Sequence, residues 1–105
     1  MNTNLTLKHF GEQLLRRENL SFATRDRHEV ELKHLYKDIP EAVERPANGY
    51  TPADIDALRA HWDQIKLPSE TARTRLKTLR ATFELAVEAA PGFENPVDQS
   101  LARDP

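Results

Sequence analysis

The strongest constraint on the fold of this chain is the segment 69–96, in which apolar residues recur at the spacing of an α-helix. Leu76, Leu79, Phe83, Ala86 and Val87 fall on one side of such a helix, where they would pack against a core. The same region concentrates positive charge: residues 66–80 hold five basic side chains and one acid, a local balance of +4 in a chain of net charge −2. The pattern predicts a helix that packs inward through one face and presents cations on another.

Two more helices are predicted in the first forty residues. Apolar residues at helical spacing predict a first helix over residues 6–17. Ser21 is a favourable N-cap for a second helix, which Pro40 should end. The segment 41–50 contains Pro46 and an Asn-Gly pair, which indicate an irregular connection.

The tetrapeptide Thr-Pro-Ala-Asp at 51–54 is a strong helix-start signal. Thr can cap, Pro is favoured at the first helical position, and an acid in the first turn interacts well with the positive end of the helix. This third helix should close before Pro68, with Ser69 capping the fourth, which ends near Ala90. Residues 93–105 are rich in loop-forming residues and are predicted to be a loop.

Size and composition limit the class of protein. A chain of 105 residues and 12.0 kDa is expected to form one domain with a single core, and no segment alternates as a strand would, so the predicted class is all-α. No run approaches the roughly 18 apolar residues of a membrane span. The N-terminus lacks the features of a secretory signal, and there is no cysteine to cross-link. A cytoplasmic protein is therefore expected.

Three cations of the fourth helix should share one ridge. At 100° per residue, Arg73, Lys77 and Arg80 fall within about 60° of one another, whereas Arg75 points to the other side of the helix. Such a ridge could bind phosphates and offer guanidinium groups to base edges in a major groove. The alternative is a solvated face whose charges are balanced by Glu70 and Glu84.

Hydroxyl and arginine side chains also cluster where the second and fourth helices begin. The residues are Ser21, Thr24, Arg25 and Arg27 on the second helix, and Ser69, Thr71, Arg73 and Arg75 on the fourth. This chemistry suits a phosphate approached by a helix N-terminus, although capping and solvation explain each cluster alone equally well.

Catalytic and metal-binding patterns are missing from the sequence. The four histidines fall on three predicted helices without a His-x-x-x-His pair, and no nucleophile elbow, P-loop or dinucleotide-binding motif occurs. His28 lies on an apolar stripe and is predicted to be a core or half-buried residue making one hydrogen bond. We therefore predict no metal, no cofactor and no enzymatic activity for this chain.

Taken in order, these motifs resemble the N-terminal core-binding domain of tyrosine recombinases, the phage-integrase family. The matching segments are the Ser-Phe-Ala-Thr helix start at 21–24, the Tyr-Thr-Pro-Ala-Asp-Ile start at 50–55, the fourth-helix pattern over 71–87, and Asn-Pro at 95–96. The resemblance covers nearly the whole chain. His28 departs from it, since the family often has Tyr there.

The resemblance implies a SAM-like, compact bundle of four main helices arranged as two crossed helical hairpins. It implies a DNA-binding domain over residues 1–96, with 97–105 starting a linker to a catalytic domain absent from this chain. Such a domain forms half of a clamp around duplex DNA during integration or recombination, with its second and fourth helices facing the major groove. The implied DNA contacts are Ser21, Thr24, Arg25, Arg27, Ser69, Thr71, Arg73, Arg75, Lys77 and Arg80.

The expected partners follow from that assignment: double-stranded DNA, the catalytic domain of the full-length chain, and other recombinase protomers on DNA. The isolated domain is expected to be monomeric, without membrane contact. The competing hypothesis is a helical protein-interaction domain whose basic ridge binds an acidic protein partner. Salt-dependent binding to duplex DNA would distinguish the two.

Overall fold

The computed structural model describes residues 5–102, which form an all-α globule with no strand among them. Two short 3-10 turns, Pro40–Val43 and Ala47–Gly49, interrupt the connection between the second and third helices. The five α-helices in chain order are α1 Leu7–Leu15, α2 Phe22–Asp38, α3 Pro52–Gln64, α4 Ser69–Ala89 and α5 Pro96–Ala102.

The starts of α2 and α3 confirm the predicted capping. Ser21 accepts a hydrogen bond from the Thr24 backbone N–H at 3.2 Å, so it is the N-cap of α2. At the start of α3 the Asp54 carboxylate accepts from the Thr51 backbone N–H at 2.8 Å. Burial opposes the charge of Asp54, but the Thr51 hydrogen bond and the Arg45 guanidinium outweigh it and hold the pKa of this carboxyl below its usual value.

The predicted cap of α4 is wrong by one residue. Pro68 occupies the cap position: its carbonyl accepts the first helical bond from the Ala72 N–H at 3.0 Å, and Ser69 is already helical. The reason is the turn that ends α3. Lys66 adopts a left-handed φ of 59°, and the Leu67 N–H bonds back to the Trp62 carbonyl at 2.9 Å. This turn delivers the chain to α4 through the proline, without a capping side chain.

A fifth α-helix forms where a loop was predicted. The prediction of four main helices is therefore wrong by one. Asn95 caps it, since its side-chain oxygen accepts from the Val97 N–H at 3.0 Å, and Pro96 is its first residue. The Asn95 amide also donates to the Arg80 carbonyl at 3.0 Å and to the Glu84 carboxylate at 2.9 Å. Asn-Pro is thus a start signal of the same kind as Thr-Pro at 51–52, and it ties α5 to α4.

The core is built around α4, which contacts α1, α2 and α5. The predicted inward stripe is confirmed: Leu79, Phe83 and Ala86 are buried, and Leu76 and Val87 are half-buried. Trp62 of α3 is also buried and donates its indole N–H to the Asp38 carboxylate at 2.8 Å. The radius of gyration of 13.2 Å is that of a compact domain of this length.

A glycine sets how closely the first two helices approach. Gly11 is buried in α1, and a Cβ atom at this position would overlap the hydroxyl oxygen of Tyr36 on α2. Leu32 also lies within van der Waals contact of that position. The glycine inside the first apolar pattern therefore serves packing between helices rather than breaking α1.

Candidate nucleic-acid interface

The predicted cationic ridge exists on the surface of α4. Arg73, Lys77 and Arg80, hereafter the α4 ridge, are all exposed, and all three line one groove. They lie one helical turn apart along α4, so they form a continuous row. The face on which α4 packs through Leu79 and Phe83 is a different one.

The groove runs between α3, α4 and α5 and has a volume of about 870 Å³. Its apolar lining comes from all three helices and from the α3–α4 turn. Arg59 of α3 lines it as well, and its Nη1 donates to the Ser100 hydroxyl of α5 at 3.2 Å. The charge pattern of the sequence does not indicate Arg59, because residues 38–65 hold six acidic residues and only two basic ones.

The cations of the α4 ridge differ in how firmly they are held. The Arg80 Nε lies 2.5 Å from an Asp98 carboxylate oxygen of α5, and this ion pair raises the pKa of Arg80. Among residues 5–102, Arg73 and Lys77 have no acidic partner within ion-pair distance. Arg73 and Lys77 are therefore the two ridge cations whose charge is open to a ligand.

Arg75 must be corrected as a DNA contact. Its side chain is buried, with the residue only 8% exposed, and it lies between α2 and α4. Its Nε donates to a Glu31 carboxylate oxygen at 3.1 Å, and its Nη1 lies 3.6 Å from the Asp38 carboxylate. Binding a phosphate would require breaking this paired arrangement, so Arg75 is a structural residue.

Arg25 is also committed to the fold rather than to solvent. Its Nε donates to the Leu15 carbonyl at 2.9 Å, and its Nη2 donates to the Arg17 carbonyl at 2.7 Å. These carbonyls lie at the C-terminus of α1, where a cation is favoured by the helix dipole. Arg25 therefore fastens the start of α2 to the end of α1, and it is half-buried.

The remaining candidates separate into two surfaces. On α2, Ser21 donates to Thr24 at 2.8 Å, both are exposed, and Arg27 is exposed beside them; these three form the α2 start. On α4, Ser69 is exposed next to the α4 ridge, and Thr71 is half-buried.

The contacts that join α2 to α4 are made by other residues. His28 Nδ1 lies 2.8 Å from the Thr78 hydroxyl oxygen, and the Arg75 guanidinium contacts both Glu31 and Asp38 of α2. The half-buried, hydrogen-bonded His28 confirms the prediction made for it.

Comparisons with protein-family models, with curated proteins and with solved structures find no match for this chain. Within residues 5–102, no helix is long and apolar enough to cross a membrane.

Proposed function

We propose that this chain is a DNA-binding domain that holds the phosphate backbone of a duplex through the α4 ridge. The observation that carries the proposal is that Arg73 and Lys77 are exposed and have no acidic partner among the described residues. They lie one turn apart on α4, the longest of the described helices. Two cations presented from a rigid helix can replace counterions condensed on DNA, which is the main source of sequence-independent affinity.

We propose further that the domain is the core-binding part of a tyrosine recombinase, of SAM-like fold. The support is the order of motifs along the sequence together with an all-α globule in which the second and fourth helices pack directly on each other. In this proposal the α2 start contributes Ser21, Thr24 and Arg27, and the catalytic residues belong to another part of a longer protein. The chain alone then binds DNA without cutting it.

The test compares two double variants that remove the same charge from different surfaces. Arg73→Ala/Lys77→Ala empties the α4 ridge of its unpaired cations. Arg16→Ala/Lys33→Ala removes two exposed cations, one at the C-cap of α1 and one on α2, and each lies one turn from a glutamate. Binding to a fluorescein-labelled duplex is measured by anisotropy at several salt concentrations.

The ridge variant should bind more weakly, and its log K against log[salt] slope should be shallower by about 2, since each lost phosphate contact removes roughly 0.9. The matched variant should keep the wild-type slope. If both variants lose affinity equally, the chain responds only to net charge, and the assignment to the α4 ridge is wrong.

A further inference from the structure

The groove beside the α4 ridge has more apolar surface than phosphate binding would use. Leu67, Ala72 and Leu76 are half-buried along it, and Leu101 of α5 is 41% exposed. Trp62, which also lines the groove, is buried, and these five side chains are called the apolar floor of the groove. A phosphate backbone offers nothing apolar to cover these side chains, and contiguous apolar grooves of this kind mark interaction sites.

The exposed charged residues that line the groove are mainly basic. Arg73 and Lys77 stand on the α4 side without acidic partners among the described residues. On the α3 side the Asp56 carboxylate already accepts a 2.6 Å hydrogen bond from Ser100 of α5. Asp63 is the one exposed acid among the described lining residues. The groove therefore combines an apolar floor with a cationic wall.

We infer that this groove binds an acidic amphipathic helix of a protein partner. An α-helix is about 10–12 Å wide with its side chains, so one face can enter an open groove of about 870 Å³. Its apolar stripe covers Leu76 and Leu101, while carboxylates on its flank meet Arg73 and Lys77. Helix-in-groove recognition uses apolar anchors spaced by three or four residues, with flanking charges setting orientation.

This inference goes beyond DNA binding and depends on different atoms. Both ligands use Arg73 and Lys77, but only the helix uses the apolar floor. Substitutions in the floor that keep every charge therefore test the inference without touching the proposed DNA contacts.

The experiment titrates this protein against three labelled synthetic peptides, each of about 16 residues so that a helix can form. The first has leucine along one helical face and glutamate on the flanks. The second has the same composition in scrambled order, and the third has lysine in place of glutamate. Anisotropy reports affinity, and the fluorescence of Trp62, the chain's single tryptophan, reports occupation of the groove.

The first peptide should bind at least about tenfold more tightly than the other two, because they lack the stripe or the charge. Leu101→Gln, at an exposed position that should not disturb folding, is expected to weaken binding about fivefold at every salt concentration. Val30→Gln, an equally exposed apolar position on α2, is the matched control and should bind like wild type.

Equal binding of the ordered and scrambled acidic peptides would overturn the inference, since charge alone would then explain the affinity. An unchanged affinity in Leu101→Gln would overturn it as well. Leu101→Gln should bind duplex DNA like wild type, so failure of the groove inference and failure of the DNA proposal give different results.

Discussion

At the scale of single residues, Arg75 shows that cations close together on one helix can have different roles. Three neighbouring cations of α4 are exposed, while Arg75 is enclosed between α2 and α4 with Glu31 and Asp38. The guanidinium and the two carboxylates lie in a low-dielectric interface, and they stabilise the fold only while all three are present. Removing it leaves both acids without their cation.

Arg75→Ala should therefore lower the free energy of unfolding by about 2–4 kcal/mol, because breaking a buried ion pair strands the partner charge. Arg73→Ala is the matched control: it removes the same side chain from an exposed position, and its effect should stay within about 0.5 kcal/mol. Urea denaturation followed by circular dichroism measures both. Similar losses in the two variants would show that Arg75 is not held by its acids.

The sequence predicts part of this arrangement. Helical periodicity separates Arg75 from the α4 ridge, because the rotation per residue is fixed by the backbone. It does not reveal that Glu31 and Asp38 of another helix stand opposite, since that pairing depends on how α2 and α4 cross. The same limit applies to Arg25, whose partners are carbonyls at the end of α1.

At the scale of elements, local signals predict four helices well and miss the fifth. Caps, prolines and apolar spacing act within a few residues, so α2 and α3 begin where the sequence indicates. The segment of α5 is too short for its periodicity to be evident, and Asn95 also bonds to α4. Its helical state depends on that packing, because isolated helices of this length are not stable in water.

Val97→Ala tests whether α5 is an integral part of the domain. Val97 is fully buried, so its truncation should lower the free energy of unfolding by about 1.5–3 kcal/mol. Leu101→Ala, on the same helix at an exposed position, should cost less than about 1 kcal/mol. A dispensable linker segment would instead give two small and equal effects in the same denaturation measurement.

At the scale of the whole molecule, the packing of α4 on its neighbours decides which candidate residues can act together. Arg75 lies in the contact between α2 and α4, where Glu31 and Asp38 of α2 pair with it. The α4 ridge and the groove, by contrast, share one side of the molecule because α3 and α5 both flank α4 there.

The same α2–α4 junction should make stability depend on pH through His28. Burial lowers the pKa of His28 below its usual 6.5, and the charges of Arg27 and Arg17 lower it further. The folded state therefore binds a proton less readily than the unfolded chain. The stabilisation is fully present above pH 6.5 and is lost as the pH falls through 6.5 toward the lower pKa of the folded state.

The free energy of unfolding, measured in urea at pH 7.5 and at pH 5.5, should fall on acidification in the wild-type protein. His28→Gln cannot acquire a proton and should show a smaller fall over the same interval. His34→Gln, on an exposed position of the same helix, should keep the wild-type fall. Asp54 does not contribute in this interval, because the stabilisation from a carboxyl with a lowered pKa is lost only as the pH falls below its ordinary value of 3.8. An equal fall in all three proteins would place the pH dependence outside the α2–α4 junction.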